Sequence, residues 1–504
     1  MILLDGCSLT LDDLGAIAYE RAPVSLTSEA RARVTAARGV VDTFARGDQP
    51  AYGINTGFGS FAEVRIPAES LAELQVNLLR SHAAGVGDPL PIPVVRATMA
   101  LRANVLAKGF SGIRLETLDA LIDLLNHGVH PVVPSRGSVG ASGDLAPLAH
   151  LALVLIGEGE AWHEDRRIPG AGALALAGLA PVTLAPKEGL ALINGTQPST
   201  AVALLAAAGA SRLARAADVA AALSIDGLRG SVRPFDARIH DARPYPGQVR
   251  SAANIRTLLA DSPINRSHEH CGRVQDAYSL RCAAQVHGAA REALDFSSRL
   301  LLTEANSATD NPMVFVDEGD IVSGGNFHGA PVAIAADVIV LALAQLATIS
   351  ERRSDRLVNP ALSDLPAFLT ADSGLQSGYM MAQVTAAALA SEIKTLAHPA
   401  SVDTIPTSAN REDHVSMSMG AALKAQQALA LATRVVAVEI LCACQAIDLL
   451  SPLTTSPLLE RVHATVRRSV PPLTIDRPPA PDIEMISALI TDGSLLASIE
   501  LEVK

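Results

Sequence analysis

The chain has 504 residues, enough for two to four domains or one large fold, and it can bury a core without disulfides or metals. Its 40 Lys and Arg against 52 Asp and Glu leave a formal charge of −12, with no basic run and no interleaved aromatics, which excludes a nucleic-acid surface. Hydrophobic residues make up 49% and aromatics only 3%; Ala and Leu dominate, and both favour helix. The cysteines Cys7, Cys271, Cys282, Cys442 and Cys444 are odd in number and form no CxxC, so no disulfide framework is expected and a reducing cytoplasm is the natural setting. The start, MILLDGCSLTLDDLG, has no basic region ahead of its apolar run and does not read as a signal peptide. The least charged stretches, such as 189–211, contain Asn194, Gln197 and Pro198 and read as buried helix and turn, not as membrane spans.

Taken in chain order, the first signal is a glycine-rich loop at 52–60. Apolar stripes at helical spacing follow over 92–107 and 115–126 (LETLDALIDLLN), the second stopped by Gly128. A second loop covers 134–143 and precedes a helix over 144–157; a third, at 169–186, includes the β-branched pair Val182-Thr183. Helices are expected over 197–224 and 276–307, a strand fragment over Val314–Val316, a loop over 323–331, and helices over 330–354, 379–397 and 413–450. Several of these helices are apolar on more than one face, which places them inside a bundle, and 330–354 and 413–450 exceed roughly 30 Å at about 1.5 Å per residue. No linker or repeat divides the chain. The expected fold is mainly α: one catalytic unit with a loop-rich region over 1–195 and a bundle of long and C-terminal helices over 196–504.

The densest motif is GSVGASGDLAPLAH, residues 137–150. A phosphate loop needs a lysine after its last glycine, and here Asp144 would repel an anion. A dinucleotide fingerprint needs a preceding strand, and PVVPSR carries two prolines. Taken alone, the motif is a glycine turn capped by Ser142 or Asp144. SHEHC offers His268, His270 and Cys271 to a metal-dependent hydrolase, but HExxH and a second ligand cluster are absent from the sequence. Cys442 and Cys444, two apart on a helix, read as packing. No GxSxG elbow occurs.

Together these fragments resemble the aromatic amino acid ammonia-lyase family, which includes histidine, phenylalanine and tyrosine ammonia-lyases. The likeness covers the signature at 137–150 and, in order, AYGINTGFG (51–59), SHAAGVG (81–87), INGTQ (193–197), QDAYSLRC (275–282), TDNP (309–312), GGNFH (324–328) and TSANREDHVSM (407–417). It implies a mainly helical homotetramer with sites composed from several subunits. It also implies that Ala141, Ser142 and Gly143 cyclise to methylidene-imidazolone (MIO), with no external cofactor and no metal. The chemistry explains the need: ammonia is a poor leaving group, a β-proton is hardly acidic, and no protein side chain is a good carbon electrophile.

By position, the resemblance makes Tyr52 the general base for the β-proton and Arg281 the fork for the substrate carboxylate. Asn194 and Tyr278 belong around MIO and the amine, and Gln275 and Phe327 line the pocket. Ser81-His82 and Glu412 are similar to the histidine branch, where two polar groups satisfy an imidazole and reject a phenyl ring. Ala277, Ala283, Ala284 and the late VPPLTIDRP look closer to some bacterial tyrosine lyases, and Arg80 adds a charge beside the pair. The resulting expectation is deamination of L-histidine to trans-urocanate; the alternatives are a tyrosine or phenylalanine ammonia-lyase or an MIO-dependent aminomutase. Whether Tyr52 or Glu412 takes the proton is open at this level.

Overall fold

The computed structural model describes residues 1–47, 49–57, 59–61, 63–164, 166–269, 272, 274–497 and 499. The fold is mainly α. Its residues form two compact units, one of 1–205, 298–336 and 399–423, the other of 206–297, 337–398 and 424–504.

In the first unit, Thr10 and Asp13 form a reciprocal capping box that starts the helix Leu11–Tyr19. Thr27 caps Ser28–Arg46, which buries Val34, Ala37 and Val41 at helical spacing. Both helices and Leu115–Asn126 pack around Ile92–Ala107, whose side chains are buried on every face from Val94 to Ala107. A second group, Leu71–His82, Leu145–Leu155 and Glu188–Ile193, packs mutually. Short strands complete the unit: Ile2–Leu4 runs parallel to Val24–Leu26, and Val86–Pro89 antiparallel to Pro134–Arg136. Glu160–His163 pairs on either side with His130–Pro131 and Arg166–Pro169, and Met313–Phe315 with Asp320–Val322.

The second unit holds residues 206–227, 283–297, 337–358 and 424–449 of four long helices, with Pro246–Leu258, Pro457–Ser469 and Ala480–Thr491. Several of its buried charges are paired, which offsets the cost of a low-dielectric interior. Asp218 accepts from Arg291 Nη2 at 2.7 Å and lies 2.7 Å from His287 Nδ1. Arg353 meets Glu439 through two bonds, one of 2.9 Å from Nη2 to Oε2. Cys442 and Cys444 are buried thiols in Ser418–Leu449, and burial pushes Cys444 up to about 12.

Several elements differ from the sequence expectation. The helix expected over 276–307 is a turn, Tyr278–Arg281, followed by Ala283–Ala305. Arg353 Nη1 takes the Ser279 carbonyl at 3.3 Å, which a continuous helix would give to residue 283. The helix expected from 413 begins at Ser418, because Met417 N donates to Val139 O (2.8 Å) and Ser416 Oγ to Gly140 O (2.9 Å). The loop 169–186 contains the helix Gly170–Leu176, and Val182-Thr183 is not in a strand. By length and composition, Ala330–Val358 and Ser418–Leu449 could cross a bilayer; 61% and 83% of their most apolar windows are buried inside the protein.

Candidate active site

The mutual packing of three helices sets the geometry. His82 ends Leu71–His82, Ala141-Ser142-Gly143 immediately precedes Leu145–Leu155, and Asn194 closes Glu188–Ile193. Asp144 does not cap its own helix with its side chain, contrary to the expected turn. Its buried carboxylate instead accepts from Ser199 N (2.8 Å), in the first turn of Gln197–Gly227, and from Ser138 Oγ (2.5 Å). A negative group belongs at that helix start, which is the positive end of the helix dipole. Burial pushes this carboxyl up, and the donors pull it back only in part. Gly143 has φ +72°, and a Cβ there would lie 2.2 Å from Gly195 O, which accepts from Asp144 N at 2.8 Å. Asn194 Nδ2 donates to Ser142 O at 3.1 Å, while its Oδ1 is buried with no partner among the described residues.

Ser142 Oγ donates to Glu412 Oε1 at 2.8 Å. Glu412 Oε2 accepts from Thr407 Oγ1 (2.6 Å) and Ser408 Oγ (2.8 Å). Ser408, Ala409 and Asn410 all have left-handed φ, +51°, +52° and +66°, a strained turn for non-glycine residues. Burial alone would raise the Glu412 carboxyl; the hydroxyls of Thr407, Ser142 and Ser408, with nearby His82, outweigh it and hold the group below its ordinary value. Burial lowers His82, and the Leu78 carbonyl (2.9 Å from Nδ1) and the Glu412 charge restore only part of that, so the ring favours its neutral form. Ser81 Oγ donates to Leu78 O at 3.1 Å. The Arg80 guanidinium is turned onto Glu158 at 2.6 Å.

Tyr52 is half-buried, and its hydroxyl accepts from Gly59 N at 3.3 Å. Phe327 is half-buried in the loop before Ala330–Val358; its neighbour His328 stacks on His414, centroids 5.8 Å apart and planes 4° from parallel. That contact sets the Phe327 loop beside the Glu412 loop. Gln275, Tyr278 and Arg281 belong to the second unit. There Gln275 is exposed, Tyr278 is 70% exposed, and the Arg281 guanidinium carbon lies 4.6 Å from the Tyr278 ring centroid. Tyr278, Ser279, Cys282 and Val286 border a groove of about 330 Å³. His270 and Cys271 of the SHEHC run lie outside the described residues; among the described residues no group of three or more His, Cys, Asp or Glu is placed to hold a metal ion.

The first unit thus gathers Ser142, Asn194 and Glu412 by direct bonds, with His82 in the field of Glu412. These residues fit an MIO precursor: a glycine at 143 whose Cβ position is blocked, an asparagine on the 142 carbonyl, and a buried amide oxygen with no donor among the described residues. Thr407 and Ser408, both inside the TSANREDHVSM motif, hold Glu412 but carried no signal of that role in the sequence.

The model of the aromatic amino acid lyase family matches residues 9–468, and the chain belongs to that family. Among individual relatives, it is 56% identical to histidine ammonia-lyase of Myxococcus xanthus strain DK1622, over 99% of this chain and 98% of that protein. The crystal structure of histidine ammonia-lyase from Trypanosoma cruzi superposes with a TM-score of 0.93 at 46% identity, covering 100% of this chain and 96% of that one. Tyrosine aminomutase from Streptomyces globisporus gives 0.95 at 39% identity, covering 100% and 99%.

Proposed function

We propose that this enzyme is a carbon–nitrogen lyase that removes ammonia from L-histidine to give trans-urocanate, acting as a cytoplasmic homotetramer with the whole chain as one catalytic unit. The observation that carries the reading is Glu412, bonded to Ser142 and electrostatically coupled to His82. Such a pair offers an imidazole ring an acceptor and a neutral polar neighbour, which a phenyl or phenol substrate would leave unsatisfied. Relatives named histidine ammonia-lyase at 56% identity support it.

Cyclised from Ala141, Ser142 and Gly143, MIO supplies the carbon electrophile. The chain's own groups do the rest. Arg281 binds the substrate carboxylate through its planar fork. Asn194 and Tyr278 orient the amine, and Gln275, Phe327 and Ser81 shape the pocket. Tyr52 is the general base for the β-proton. Glu412, still held at Oε2 by the Thr407 and Ser408 hydroxyls, is the acceptor for the imidazole rather than the base. Loss of the Ser142 hydroxyl during cyclisation frees Glu412 Oε1 for that purpose.

Ser142→Ala tests the electrophile. Activity should vanish while circular dichroism and melting temperature stay at the parent values; full activity in the folded variant contradicts the reading. An aminomutase, to which the Streptomyces globisporus enzyme gives structural weight, would release a β-amino acid, and chromatography of the products separates the two.

A further inference from the structure

We propose that Arg102 is a positioning residue for maturation of the Ala141-Ser142-Gly143 tripeptide, an inference that rests on the electrophile reading above. Arg102 is fully buried on the helix Ile92–Ala107. Nη1 donates to Asn194 O and to Gln197 Oε1, both at 2.7 Å, and Nη2 donates to Ala191 O. Gln197 Nε2 passes the constraint on to Thr309 Oγ1 at 2.8 Å. One planar fork therefore holds two acceptors in the turn 194–197, Asn194 O and Gln197 Oε1, and a third, Ala191 O, in the helix before it, and its charge complements the carbonyl end of Glu188–Ile193. Helix capping does not account for the arrangement, because Gln197 Oε1 is no helix carbonyl, and Nε is buried with no partner among the described residues.

The turn held by Arg102 is the one that holds the tripeptide. A Cβ on Gly195 would lie 2.5 Å from Arg102 Nη1, so the cation rests against bare backbone. The Gly195 carbonyl accepts from Asp144 N, and Asn194 Nδ2 donates to the Ser142 carbonyl. Residues 142–144 are thus fixed at two points by residues that Arg102 fixes in turn. Cyclisation forms a bond from Gly143 N to the Ala141 carbonyl carbon. The Ala141 oxygen leaves as water with the protons of Gly143 N and Ser142 N, and the Ser142 hydroxyl leaves as a second water with its Cα hydrogen. No oxidant is needed, only close approach, and a displacement of about 1 Å is worth on the order of a hundredfold in rate.

The test is the mass of the tryptic peptide 137–166 from purified, folded protein. In the parent it should lack two waters. In Arg102→Lys the peptide should remain largely hydrated, dehydrating on the order of a hundredfold more slowly. Arg96→Lys is the control: Arg96 is also buried on the same helix but serves the carbonyls of Ile17 and Leu125, and this variant should dehydrate like the parent. Equal dehydration in the two lysine variants overturns the assignment. If Arg102→Lys does not fold, Gln197→Met decides, since it removes one acceptor and keeps the cation: slowed dehydration supports the proposal, and parental dehydration overturns it. A parent peptide that keeps both waters sinks the electrophile reading itself, a result distinct from either.

Discussion

Glu412 takes the Thr407 and Ser408 hydroxyls on Oε2 and, until cyclisation removes it, the Ser142 hydroxyl on Oε1. An amide in its place would keep one acceptor and turn an NH₂ toward groups that need an oxygen. Glu412→Gln should lower kcat/KM for histidine tenfold to a hundredfold, roughly 1.4–2.8 kcal/mol of transition-state binding, with little change in melting temperature. Steady-state kinetics alongside a thermal melt checks it. At this scale the residues inside motifs were legible, because Ser142, Asn194 and Glu412 sit in patterns with few other uses. Arg102 was not, since two of its acceptors are backbone carbonyls, 92 positions away at Asn194 and 89 at Ala191, and carbonyls leave no trace in a sequence.

At the scale of elements, the site is a convergence of helix ends. Glycine and proline gave away most loops, whereas Met417 showed no sign that it would be drawn out of a helix by the Val139 carbonyl. The use of Asp144 by a helix other than its own was equally hidden, because it depends on tertiary packing. Asp144→Ala should strip two donors of their buried acceptor and cost about 1–3 kcal/mol, read as a lower denaturant midpoint. His130 gives a pH prediction. Burial first, then Arg96, whose Nη1 lies 3.0 Å from its Nε2, lower its pKa from 6.5 to about 4. The unfolded chain binds the proton that the folded chain refuses, so stability is full above about 6.5 and declines as pH falls toward 4. The loss across that window is on the order of 3 kcal/mol. Denaturant titrations between those limits should show the slope, and His130→Gln should flatten it.

For the whole molecule, an Ala- and Leu-rich composition with helices apolar all round was enough to read a mainly α fold. What stayed illegible was the set of charges inside it: Asp218 with Arg291, and Arg353 with Glu439, look in sequence like residues of a solvated face. Only the fold shows that each is buried against its partner. The central claim is about substrate. Purified protein should be given L-histidine, L-tyrosine and L-phenylalanine separately, with the near-ultraviolet absorbance of the conjugated acid followed over time. Rapid appearance of urocanate from histidine, with little or no product from the other two, is the predicted result; turnover of tyrosine without turnover of histidine would contradict it.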